Sequence, residues 1–104
     1  MNQWSVTVAP SVWDLITAQV LYIANDSVDN ALAWETRLDT AIFKLAEMHG
    51  HAVDEDASQR LGVEVNKLVF ERTYLVHYTL DKPARVVHVI GFRHGARRPN
   101  PHEP

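Results

Sequence analysis

The end of the sequence constrains the fold most, because two β-type runs follow each other there around one turn. In the first run, from Tyr74 to Leu80, every second residue is aromatic or aliphatic, which is the pattern of a strand with one buried face. The second run, residues 86–90, is rich in β-branched side chains. Asp81-Lys82-Pro83 separates the runs with residues that favour a turn. The sequence therefore predicts a β-hairpin.

Positive charge is concentrated directly after this hairpin. Six positions without any acid contain Arg93, His94, Arg97 and Arg98. Such a cluster repels itself unless it meets an anion. We therefore expect these four residues to bind a target, either phosphate or an acidic protein surface.

Charge is also sorted along the chain. Residues 1–63 contain three basic and nine acidic side chains, whereas residues 64–104 contain seven and four. The sequence has no cysteine, no leader-like beginning and no run of about 20 apolar residues. We expect a soluble cytoplasmic protein without membrane contact, disulfide, metal or cofactor.

The first part of the chain predicts a short strand followed by a helix. Apolar and polar residues alternate from Trp4 to Val8, and Pro10 should end this strand because it lacks an N–H. Ser11 is expected to cap the helix that follows, which should run to Asn25.

A second helix is expected after Ser27, which is a favourable N-cap. Steps of three and four residues place one apolar stripe on this helix, and Gly50 is the expected C-cap. The stripe consists of Ala31, Trp34, Leu38, Ala41, Leu45 and Met48. We expect the two helices to form an antiparallel hairpin, with Trp13 and Trp34 used for helix and core packing.

Residues 51–63 show weak periodicity and are expected to be a surface loop. A strand around residues 68–70 then precedes the hairpin and completes a three-strand meander. The helices should cover the face that carries Tyr74, Val76 and Tyr78. For the last strand we take Ile90 and Phe92 as core, which leaves Val89, Gly91, Arg93, Lys67 and Glu71 on the open face.

The predicted fold is therefore α+β with the order β-α-α-β-β-β, in which a helical hairpin packs on one face of a small, mainly antiparallel sheet. Residues 1–98 are expected to form one domain, and the proline-rich residues 99–104 a mobile tail.

In residue order, the chain resembles the RelE/ParE superfamily of toxins from bacterial type II toxin–antitoxin modules. Three pieces, covering about residues 4–99, carry the resemblance. They are the opening SVTVAP with its capped helix, the helix from Ala31 to Leu45, and the hairpin from Thr73 to the ending HGARRP.

This resemblance implies a small toxin that arrests growth and is silenced by a cognate antitoxin, with operator DNA contacted only through the antitoxin. ParE-like members inhibit DNA gyrase, whereas RelE-like members cut mRNA on the ribosome without a metal. In the cutting branch Lys67, Arg72, Arg93 and His94 would be the catalytic candidates of this chain. The antitoxin-binding residues are not indicated.

Two positions depart from the cutting branch. Leu75 and Gly91 stand where many relatives carry basic residues, and Leu75 cannot supply a phosphate contact. The ending is closer to ParE-like members, so gyrase inhibition is the expected function. The alternatives are a RelE-like endoribonuclease and an inactive homologue that acts only as an antitoxin-binding corepressor.

Two histidine patterns are not taken as functional. His77 is expected to be a hydrogen-bonded structural residue of the sheet. His49, His51 and Asp54 have a spacing that is weak as a metal-site signal.

Overall fold

The computed structural model describes residues 3–95, so Arg97, Arg98 and the 99–104 tail lie outside the described residues. One mixed sheet has the strand order β1-β4-β3-β2, in which β1 runs parallel to β4 and the other pairs are antiparallel. The elements are β1 Ser5–Val8, α1 Pro10–Ala24, α2 Val28–Phe43, a 3₁₀ turn Lys44–Ala46, α3 Glu55–Leu61, β2 Asn66–Phe70, β3 Tyr74–Asp81 and β4 Val86–His94. The predicted α+β class and the meander are confirmed.

The start of α1 differs from the expectation. Pro10 is its first residue, and Ala9 occupies the N-cap without a side-chain hydrogen bond, so the predicted Ser11 cap is wrong. Proline is suited to this position because its missing N–H would have no helical acceptor and its φ is already helical. A single residue, Ala9, therefore separates the end of β1 from the start of α1 at Pro10.

The start of α2 was predicted correctly, but its end was not. The Ser27 Oγ accepts a hydrogen bond from the Asn30 N–H at 3.1 Å, as an N-cap should. The α-helix ends at Phe43 and tightens into the 3₁₀ turn, so Gly50 is not its C-cap. Because this turn breaks the helical spacing after Leu45, Met48 leaves the apolar stripe and is exposed.

A third helix stands where a loop was expected. The Asp54 carboxylate accepts a hydrogen bond from the Ala57 N–H at 3.1 Å and caps the start of α3. Gly62 follows the helix at φ 75°, the left-handed conformation that glycine adopts without strain. Two caps therefore define this short helix, although its periodicity is too brief to recognise.

The face that carries Tyr74, Val76 and Tyr78 packs against the helices, as predicted. The β3–β4 register shifts by one residue between His77 and Tyr78, so that His77 pairs with Gly91 whereas Tyr78 pairs with Val89.

This β-bulge overturns part of the predicted core. A one-residue shift reverses which side chains of a strand face the core. Phe92 is buried as expected, but Val89 is buried in place of Ile90, which is 37% exposed.

The core lies between the helical hairpin and the sheet. Trp34 is buried there, with its ring centroid 5.1 Å from that of Tyr74. Trp13, in contrast, is exposed and packs between the helices, where its ring lies near that of Phe43.

Candidate functional site

The face of the sheet turned away from α1 and α2 is called the open face below. Strand alternation and the observed register assign it Ser5, Thr7, Lys67, Val69, Leu75, His77, Thr79, Asp81, Val86, His88, Gly91 and Arg93. The predicted open-face positions of Lys67, Gly91 and Arg93 agree with this set, whereas Val89 belongs to the core.

A carboxylate and an imidazole form the strongest polar contact on this face. The Asp54 Oδ2 lies 2.8 Å from the His77 Nε2, and the two side chains are only 16% and 15% exposed. The other oxygen of the same carboxylate accepts the Ala57 N–H. One carboxylate therefore fixes the start of α3 and orients an imidazole on the central part of the sheet.

These contacts change the acidity of Asp54. The hydrogen bond from the Ala57 N–H, followed by the one from His77, lowers the pKa of the Asp54 carboxyl below its ordinary value. The charge of Lys67 adds a smaller effect in the same direction. Asp54 is therefore held as an anion beside His77.

The imidazole of His77 lies over Gly91, across β3 and β4. A Cβ at this position would stand 3.4 Å from the Cβ of His77 and 3.6 Å from its Nδ1. The ring of His77 therefore occupies the space above this glycine on the open face.

Two cations share the open face with this pair. Lys67 pairs with His77 across β2 and β3, and Arg93 pairs with Leu75 across β3 and β4. The Arg93 Nε is buried without a hydrogen-bond partner, so an acceptor for this donor is lacking in the described part of the chain. Leu75 itself is buried, and it separates Arg93 from β2.

The four predicted catalytic candidates do not converge. Adjacent strand residues point to opposite faces, so His94 lies on the helical side, where its ring centroid is 5.0 Å from that of Tyr74. Arg72 lies in the turn between β2 and β3 with φ 62°. Only Lys67 and Arg93 of the four occupy the open face.

Glu71 was also expected on the open face, and this is wrong. It follows the end of β2 with φ 50°, and its carboxylate accepts two hydrogen bonds from the Arg37 guanidinium of α2, at 2.6 and 3.3 Å. The turn carries the side chain to the helical layer because Glu71 has left the strand geometry.

Sequence reasoning missed Asp54 as a partner of His77. The available signal was its N-cap position, three residues before Ala57, which would have predicted α3 but not its placement. His49, another member of the weak metal-site pattern, places its Nδ1 2.9 Å from the Leu45 carbonyl oxygen. Among residues 3–95, no three His, Asp or Glu side chains are arranged as metal ligands.

No helix in the described range has the length and apolar character needed to span a membrane. Compared with known proteins, the sequence matches no protein-family model, and no curated protein is significantly similar to it.

Proposed function

We propose that this protein is a growth-arresting toxin of the RelE/ParE type, silenced by a cognate antitoxin. The proposal is carried by the opposite charge of the helical hairpin and the meander; residues 48–65 between them, which include α3, contain four acidic side chains and one basic one. Residues 3–47, which include α1 and α2, contain six acidic and two basic side chains, whereas residues 66–95 of the meander contain five basic and two acidic ones. A layered protein of this kind offers one surface to a cationic partner and another to an anionic target.

The outer surface of the helices supports the antitoxin as partner. Seven large apolar residues there are exposed: Trp13, Leu15, Leu21, Tyr22, Val28, Leu32 and Phe43. Exposed apolar surface next to acidic side chains fits an amphipathic segment with apolar and basic residues. Such a segment is the expected form of the antitoxin's contact.

Gyrase inhibition is the first candidate for the action of the toxin. It is supported by the shortage of positive charge on the open face, where Lys67 and Arg93 are the two cations within the described range. Leu75 and Gly91 add no phosphate contact. A toxin that binds a protein target through its basic carboxyl end, which includes Arg93 and His94, does not need such contacts.

Cleavage of mRNA is the second candidate, and the Asp54–His77 contact favours it. A carboxylate-oriented imidazole is a common general base, and Lys67 and Arg93 supply positive charge on the same face. This arrangement suits metal-independent cleavage of a phosphodiester.

Expression of the full-length chain, alone and with the open reading frame beside its gene, tests the toxin proposal. Growth should stop when the chain is expressed alone and resume when the neighbouring protein is present. Unchanged growth in both cultures would refute the toxin and support the corepressor alternative.

Two assays with purified protein distinguish the candidate actions. A gyrase inhibitor should block DNA supercoiling and leave translated mRNA intact. A ribonuclease should produce new 3′ ends in mRNA on ribosomes and leave supercoiling unchanged.

A further inference from the structure

We propose that His77 is the proton-transfer residue of an RNA-cleaving site on the open face and that Asp54 is its positioning residue. This inference deepens the second candidate function and rests on it. It replaces His94, the histidine that the sequence pattern favoured, with a histidine that the tertiary structure orients.

The orientation of His77 is the first argument. The Asp54 carboxylate is itself held by the Ala57 N–H at 3.1 Å, so it cannot rotate freely away from the His77 Nε2. A fixed carboxylate on one ring nitrogen selects the tautomer and stabilises the imidazolium that forms when the other nitrogen takes a proton. His94, in comparison, has a ring contact with Tyr74 but no carboxylate partner among the described residues.

The second argument is the availability of the other nitrogen. The His77 Nδ1 makes no hydrogen bond to any atom of residues 3–95, and the side chain keeps 15% of its surface exposed. Gly91 leaves the space beside this nitrogen free of a side chain. A hydroxyl group of a substrate can therefore approach Nδ1 from the open face.

The third argument concerns charge. Lys67 on β2 is the cross-strand neighbour of His77, and Arg93 lies two residues beyond Gly91 on β4. The two cations can hold a phosphate beside Nδ1, which fits single-stranded RNA, whose 2′-hydroxyl supplies the proton, as the substrate.

The reaction needs no redox partner or metal. The His77 Nδ1 takes the proton of the 2′-hydroxyl as the 2′ oxygen forms a bond to phosphorus. The bond from phosphorus to the 5′ oxygen breaks, and water protonates the departing oxygen. The resulting hydroxide takes the proton from His77, which leaves a 2′,3′-cyclic phosphate and a 5′-hydroxyl.

Single-turnover cleavage of a synthetic mRNA on bacterial ribosomes tests the inference with the full-length chain. His77→Ala should slow cleavage by about 100-fold or more. Because the substitution leaves a space above Gly91, added imidazole should restore part of the rate. A purely structural histidine would not show this rescue.

Asp54→Asn separates positioning from folding, because asparagine also caps helices well. This variant should bind ribosomes with unchanged affinity while its cleavage rate falls by about 10-fold or more. His88→Ala is the matched control: His88 lies on the same face, but its Nδ1 contacts the Thr7 hydroxyl at 2.8 Å instead of a carboxylate. It should cleave like the wild type.

Three results would overturn the inference. Wild-type cleavage by His77→Ala would remove His77 from the site and leave the ribonuclease proposal intact. Equal losses in His77→Ala and His88→Ala, without imidazole rescue, would mean that His77 acts only as a structural residue of the sheet. Absence of cleavage by the wild type, with inhibition of gyrase, would refute both the inference and the second candidate function.

Discussion

Gly91 lies opposite His77 across β3 and β4, and a Cβ there would stand within 3.4 Å of the His77 Cβ. The pair is adjacent to the bulge, where Ile90 has no partner and the register changes. Bulges often re-aim a side chain next to a functional site. Here the imidazole occupies the space above glycine and reaches the carboxylate of Asp54.

Substitution of Gly91 by valine should move the imidazole away from Asp54. The added methyl groups would occupy the volume next to Nδ1, whereas the single Cβ of Gly91→Ala meets His77 at about normal contact distance. The NMR signal of the His77 Nε2 proton should shift or broaden in Gly91→Val and remain nearly unchanged in Gly91→Ala. An unchanged signal in both variants would mean that glycine is not needed for this contact.

Asp54 should contribute to stability in two separable ways. Asp54→Ala removes both the cap of α3 and the bond to His77, and it should lower the free energy of unfolding by about 2 kcal/mol. Asp54→Asn keeps the cap and should cost about 1 kcal/mol. Urea unfolding measures both values; equal costs would show that the cap adds nothing beyond the contact with His77.

Acid should weaken the folded state partly through Asp54. The hydrogen bonds of Ala57 and His77 lower the pKa of Asp54 in the folded state, so its contribution is complete above the pKa of the unfolded chain. The contribution is lost as the pH falls through the lower, folded pKa. The wild type should therefore lose more unfolding free energy than Asp54→Asn between about pH 5 and about pH 2.

Asp39 has the opposite effect on the pH dependence of stability, so a comparison of the wild type with Asp54→Asn is needed to isolate the contribution of Asp54. Burial, with a smaller effect of Glu35, raises the pKa of Asp39, so protonation of Asp39 favours folding. Asp39 is present in both proteins, and its effect cancels in the difference. Identical pH profiles would contradict the assigned role of Asp54.

The bulge predicts different stability effects for two neighbouring residues, Val89 and Ile90. Val89→Ala should destabilise the protein by about 2 kcal/mol because Val89 is 1% exposed, whereas Ile90→Ala should cost less than about 1 kcal/mol although it removes more atoms. Thermal or urea unfolding of the two variants tests the register. A larger loss for Ile90→Ala would indicate that the regular register is correct.

The helical surface can be tested with a charge substitution. Leu32→Glu introduces an acid into an exposed apolar and acidic surface, so it should weaken antitoxin binding by about 10-fold or more while the unfolding free energy changes by less than about 0.5 kcal/mol. Leu61→Glu is the control, because Leu61 of α3 is exposed to a similar extent, 56% against 55%. Similar weakening by both substitutions would place the antitoxin elsewhere.

Several features of the fold follow from short-range patterns. Ser27 caps α2 because its hydroxyl reaches an N–H three residues ahead, a contact that involves one turn of chain. Trp34 is buried because it lies on the apolar stripe of that helix. A local pattern also predicts that Arg93 and His94 lie on opposite faces of the sheet, since neighbours in a strand point to opposite sides.

The candidate site, in contrast, depends on contacts between distant parts of the chain. Asp54 and His77 are 23 positions apart, and they meet because α3 begins next to β2, where Val53 forms a bridge with Asn66. Whether Ile90 or Val89 enters the core depends on a one-residue shift in register. Both parities of that strand are apolar, so its own composition does not favour either choice.

The sequence by itself determined the order of the strands, the first two helices and the aromatic face of the sheet, because periodicity and capping act over a few residues. Only the tertiary structure decided the register of β4, the direction of Glu71 and the meeting of His77 with Asp54. These depend on pairing energies between strands and helices that are far apart in the chain, which local patterns do not contain.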